Sequence, residues 1–125
     1  MVIKIGTKEY KVQEAKTEEE KIKGLQGIKN LEDNQGMLFY FDPDENISMW
    51  MDKTYIPLDI IFINEDQEVT KVYHGKSEDK TLVSSPGTAY VLEVNQGSGI
   101  KVGDELDFDE DSDPVMKVLA PDGST

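Results

Sequence analysis

Apolar residues along this chain fall in short, β-rich blocks separated by polar, turn-forming stretches. Val2 to Ile5 and Tyr10 to Val12 flank the polar Gly6-Thr7-Lys8-Glu9, which predicts a β-hairpin. Thr17 is followed three residues later by Glu20, a capping box, and Ile22, Leu25 and Ile28 then recur at helical spacing. A helix of two or three turns is expected to start near Thr17 and end at Gly27. Gly24 inside it marks a close approach of another element to the backbone. Met37 to Phe41 is a continuous apolar block and is expected to be a buried strand. Ile47, Met49 and Met51 alternate with Ser48, Trp50 and Asp52, the pattern of a strand with the Met side chains on one face and Trp50 on the other. Beyond Pro57, Asp59 to Asn64 and Val69 to Tyr73 flank the polar Glu65 to Glu68 as a second hairpin.

His74 to Lys80 is expected to be a loop, and Thr81 to Val83 a short strand. In Thr88 to Val94, period two places Ala89, Val91 and Glu93 on one face and Tyr90, Leu92 and Val94 on the other. Leu106 and Phe108 alternate with Glu105 and Asp107 in a last strand of the domain. A mainly β (α+β) fold follows: about seven strands and one short N-terminal helix, solved most naturally by a small antiparallel β-barrel or a strongly curved sheet.

Several of these blocks together form a family pattern. They are Glu20 with Gly24-Leu25; Gly36 to Phe41; Ser48-Met49-Trp50-Met51; Ile56-Pro57-Leu58-Asp59-Ile60-Ile61-Phe62-Ile63; Tyr90 to Val94; and Gly99 to Asp104. The chain resembles the domain-of-unknown-function 192 family over roughly residues 10 to 108, a breadth no short motif has. The resemblance implies a compact, mainly β fold with one short helix, found in bacteria, archaea and some phages, in a family without a settled activity. The chain departs from the family at Asp52-Lys53-Thr54, where a Lys-Asn-Thr step is usual, and at Gln26, where Met usually follows the Leu.

Charge changes the picture in two ways. Thirteen Lys, no Arg and 26 Asp and Glu give a net charge of −13, which disfavours a phosphate backbone, so no nucleic-acid partner is expected. That charge is also unevenly placed, at −6 for residues 1–103 and −7 for residues 104–125. The expected organisation is therefore a β domain over residues 1–108, then an acidic linker over 109–125 that ends in the start of a further strand and turn, Val115 to Ser124, which either pairs back onto the domain or opens a following one. Asp107, Asp109, Asp111 and Asp113 do not make a calcium loop, because Pro114 and Ala120 stand where the turn Gly and the bidentate Glu belong. Cysteine is absent, and no apolar run approaches the ~20 residues of a membrane helix. Disulfides, thiolate metal sites, Cys nucleophiles and membrane insertion are thus not expected. The first residues lack a basic segment followed by an apolar one, which predicts a soluble chain without a signal peptide, cytoplasmic or virion-associated.

Candidate chemistry is sparse. Trp50 between Met49 and Met51 offers an apolar face, an N–H donor and adaptable thioethers to a ligand, or simply fills the core. Asp59, set between Leu58 and Ile60, must be hydrogen-bonded or shift its pKa; it is an acid–base candidate, or a brace that accepts N–H bonds from the Lys53 to Pro57 loop. Glu20 has a sufficient role in the helix cap. The sole histidine, His74, excludes multi-His metal sites, no nucleophile elbow surrounds any Ser, and no phosphate-binding glycine loop is present. No catalytic residue, metal or cofactor is assigned. The expectation is a non-enzymatic structural or binding module, an accessory domain of a larger assembly such as a phage particle, with a protein partner. The alternative is a small enzyme or ligand-binding protein with a site at Glu20, Trp50, Met51, Thr54 and Asp59.

Overall fold

The first hairpin pairs β1 (Val2–Ile5) with β2 (Lys8–Ala15), and Gly6 at φ 60° takes the left-handed turn conformation between them. The computed structural model describes residues 1–108. After β2 come α1 (Glu18–Lys23), β3 (Gln35–Tyr40), β4 (Leu58–Asn64), β5 (Val69–Gly75), β6 (Thr88–Asn95) and β7 (Leu106–Phe108). They make one seven-stranded sheet in the order β5-β4-β6-β3-β2-β1-β7. The fold is mainly β with little helix. The expected linker, strand and turn over 109–125 lie outside the described residues.

Two expectations about the sheet are corrected. It is mixed and not antiparallel, because β2 and β3 run parallel, with Lys11 opposite Gln35 and Ala15 opposite Phe39. The physical reason is the connection: parallel neighbours need a crossover, and α1 with its flanking loops supplies one. The sheet is also not closed into a barrel. Its outer strands β5 and β7 form no ladder; their approaches meet through the isolated bridge Glu68↔Glu105 and through Val69 N–H donating to the Asp104 carbonyl at 2.8 Å.

Both faces of the sheet are covered. On one, Ile3, Ile5 and Leu106 from one end of the strand order pack in a single cluster with Ile61, Ile63 and Val69 from the other, so the sheet curls over this core. On the other face Met37, Phe39, Ile60, Phe62 and Val91 pack under Leu25, Met51 and Val83. The central strands β4 and β6 are therefore buried at nearly every position, Asp59 and Glu93 included.

Local differences from the sequence pattern have local causes. Thr17 caps α1 and the capping box with Glu20 is complete, but the helix stops after six residues, at Gly24 and not Gly27. Gly24 adopts φ 47°, and a Cβ there would lie 3.3 Å from the Phe39 ring, so the close approach expected at this glycine is to β3. Ile22 is consequently left exposed while Leu25, beyond the helix, enters the core. The segment around Met49 to Met51 is not a strand; among the described residues its only ladder pairing is the isolated bridge Met49↔Val83, which is also all that forms of the strand expected at Thr81 to Val83. His74, expected in a loop, belongs to β5, where it pairs opposite Asp59.

Candidate functional site

A cleft of about 670 Å³ opens between α1, the segment from Phe41 to Thr54, and the face of the sheet that carries Phe39 and Glu93. Its walls are held in place by backbone contacts. The turn after α1 is tied to the far wall by Gly27 N–H donating to the Lys53 carbonyl at 3.0 Å. Lys53 itself adopts φ 57°, and Thr54 closes the turn through its N–H to the Met51 carbonyl at 3.0 Å. From outside, Met51 N–H donates to Asp79 and Glu78 N–H to Thr54, so the wall hangs on the 78–83 segment. Met51 is anchored against Gly75, where a Cβ would come within 2.7 Å of Met51 Cγ.

The interior of the cleft is aromatic with one carboxyl. Phe39 and Phe41 stack with ring centres 6.4 Å apart, and the Lys21 ammonium lies 4.7 Å from the centre of the Phe41 ring. Trp50 stands at the mouth, 44% exposed. At the floor is Glu93 of β6, only 4% exposed and flanked across the strands by Met37 and Ile60. Burial alone pushes its carboxyl up to about 8, with no charge or hydrogen bond contributing. Among the described residues no fully enclosed side-chain oxygen lacks a partner, so the unbonded Glu93 carboxyl must open onto the cleft. At neutral pH it is chiefly the neutral acid, able both to donate and to accept a hydrogen bond.

The residues singled out in the sequence are divided between this cleft and other places. Trp50 and Thr54 line it. Met51 is 1% exposed and belongs to the core beneath the wall. Glu20 is spent on the helix cap: its carboxylate accepts from Lys16 N–H at 2.9 Å and Thr17 N–H at 3.0 Å, which holds it below the usual carboxylate range. Asp59 lies on the opposite face of the sheet, with Ile61 and Ile63. It is 1% exposed and accepts from Ser98 N–H at 3.1 Å and Ser98 Oγ–H at 2.7 Å on one oxygen, while the other meets His74 Nδ1 at 2.6 Å. The loop it braces is thus the one at Ser98 and not the Lys53 to Pro57 segment. The sequence reading passed over Glu93. Its signal was available: a carboxylate on the Ala89 and Val91 face of an apolar strand raises the same desolvation problem as Asp59.

Comparison with known proteins finds the DUF192 family model, described as an uncharacterized ACR, matching residues 1–108. No curated protein matches the chain significantly. Among solved structures, a protein of unknown function from Novosphingobium aromaticivorans DSM 12444 is 33% identical with a TM-score of 0.80, over 86% of this chain and 84% of that one. A protein from Sinorhizobium meliloti 1021, provisionally named a transcription regulator, is 30% identical with a TM-score of 0.75, over 79% of this chain and 81% of that one.

Proposed function

The chain belongs to the DUF192 family, and we propose that within it this domain is a binding module whose ligand is a small molecule, or the end of a larger one, seated in the cleft between Trp50 and Glu93. The observation that carries the reading is the pairing of an open, aromatic-walled cavity with a buried carboxyl that has no partner of its own. The carboxyl is 4% exposed and meets no protein partner, so its remaining contact is with whatever occupies the cleft, and a cleft left open forfeits packing. The volume of about 670 Å³ lies inside the range of roughly 300–1,000 Å³ typical of small-molecule sites. Trp50 supplies an exposed ring and an N–H at the mouth and Glu93 a directional group at depth, while the buried Thr54 spends its hydroxyl on the Asp52 carbonyl and shapes the wall.

The regulator name attached to the Sinorhizobium relative concerns that protein. Here a net charge of −13 argues against binding a phosphate backbone. Among the described residues no helix is long and apolar enough to cross a membrane. Asp59 and His74 form a close pair on the face away from the cleft, and their role in this reading is to hold β4, β5 and the Ser98 loop together.

The test is a fragment screen by amide chemical shifts on labelled protein, using cationic, neutral and anionic members. Shifts gathered on α1, residues 41–54 and β6 are expected. A screen in which no fragment moves these amides would refute the binding role.

A further inference from the structure

The chemistry at the cleft floor selects among ligand classes. Six charged side chains line the remainder of the cleft: Glu18, Lys21 and Lys23 from α1, and Glu45, Asp52 and Lys53 from the opposite wall. Three acids and three lysines cancel. Three of them are paired: Lys21 with Glu18 at 3.8 Å, its ammonium also lying on the Phe41 ring, and Asp52 with Lys80, outside the lining, at 3.9 Å. The sign of the site at depth is therefore set by Glu93, the one charged residue of the lining that is buried. An anionic ligand reaching the floor is accommodated only while Glu93 keeps its proton, and it gains no charge pairing there. A cation meets the opposite situation: a carboxylate lacking a counter-ion, below aromatic faces that attract positive charge. The wall already holds one ammonium this way, that of Lys21 over Phe41.

We propose that the cleft recognises a primary ammonium group carried on an apolar or aromatic body, the ammonium seated on the Glu93 carboxylate and the body held between Phe41, Met49 and Trp50. The inference rests on the cleft being a binding site and adds the class of its ligand. Proton balance follows directly. Glu93 holds its proton in the empty site at neutral pH, so an arriving ammonium displaces that proton to solvent and leaves a carboxylate–ammonium pair. Apparent affinity then depends on the fraction of Glu93 that has ionised. With its carboxyl at about 8, that fraction rises about 50-fold between about pH 6 and about pH 8, and levels off above.

The experiment is a matched pair of probes, 2-phenylethylamine and 2-phenylethanol, which share ring and chain and differ in the charged group. Trp50, the sole tryptophan, reports binding by fluorescence and calorimetry confirms it. The amine is expected to bind more tightly than the alcohol, to gain about 50-fold from about pH 6 to about pH 8, and to release a proton seen as a buffer-dependent heat. Glu93→Gln keeps the shape and hydrogen-bonding capacity of the neutral acid, and a thermal melt verifies that it folds. In this variant the preference for the amine and its pH dependence should both vanish. Equal binding of amine and alcohol, or an amine preference that survives in Glu93→Gln, overturns the ammonium assignment and leaves the cleft a binding site. Failure of both probes also overturns it, whereas the binding role falls only if the complete fragment set leaves the cleft amides unmoved.

Discussion

Replacing Glu93 by Gln isolates the cost of carrying a carboxyl at the cleft floor. In the folded chain the group titrates at about 8 and in the unfolded chain near the ordinary value of 4.5. Because the folded pKa is raised, the folded state holds a proton that the unfolded state has lost between those two values, so stability falls as pH rises through this window. The interval from 4.5 to about 8 corresponds to roughly 5 kcal/mol at about 1.4 kcal/mol per unit, an upper figure for a group that relaxation and water partly accommodate. Of this, roughly 4 kcal/mol falls between about pH 5 and about pH 9. The side-chain amide of the variant does not titrate, and every other ionisable group is common to both proteins, so the difference between their stability curves belongs to Glu93. Urea unfolding followed by circular dichroism reads it directly. With a slope of about 2 kcal/mol per molar, the two midpoints should diverge by about 2 M across that pH range, the variant becoming the more stable at the alkaline end. Midpoints that keep a constant separation from acid to alkaline pH would show that Glu93 is solvated or paired, and would remove the basis for the ammonium site.

Other perturbations test the scaffold around the cleft. Asp59→Asn removes the charge that Ser98 and His74 meet and replaces one accepting oxygen with an amide N–H, and should cost about 2–3 kcal/mol in urea unfolding while leaving probe binding on the opposite face unchanged; wild-type stability would deny that network its bracing role. Gly75→Ala places a Cβ about 2.7 Å from Met51 Cγ, too near the root of that side chain to be absorbed by its end. A loss of about 1–3 kcal/mol is expected, with altered Trp50 fluorescence, and an unchanged melt would show that the wall is not seated there. Thr17→Ala removes the cap of a six-residue helix and should cost about 1 kcal/mol, with faster amide exchange confined to α1 and the cleft rim; uniform protection would contradict it.

What could be read from the sequence was whatever the local pattern encodes. The capping box at Thr17 and Glu20, the two hairpins, the continuous apolar runs of β3 and β4 and the alternation in Thr88 to Val94 all depend on neighbours within a few residues, where spacing and side-chain chemistry act directly. Asp59 could be recognised as a buried carboxylate from its flanking residues, but the identity of its partners could not: Ser98 lies 39 positions away. The parallel pairing of β2 with β3 was hidden for the same reason, since strand direction is fixed by the path of the crossover and not by either strand's composition. His74 reads as loop because it is polar and precedes Gly75, yet its pairing opposite Asp59 across β4 and β5 makes it strand. Trp50 and Glu93 are the clearest case. One stands on an irregular segment pinned by Val83 and Asp79, the other on a central strand, and only the covering of the sheet by α1 and residues 41–54 brings them to one cavity. Local sequence therefore determined most of the elements, though not the irregular segments at Met49 to Met51 and Thr81 to Val83, and which positions shun water. Tertiary packing decided which of those positions face each other across a void, because burial and its effect on a carboxyl are properties of the surroundings that distant residues supply.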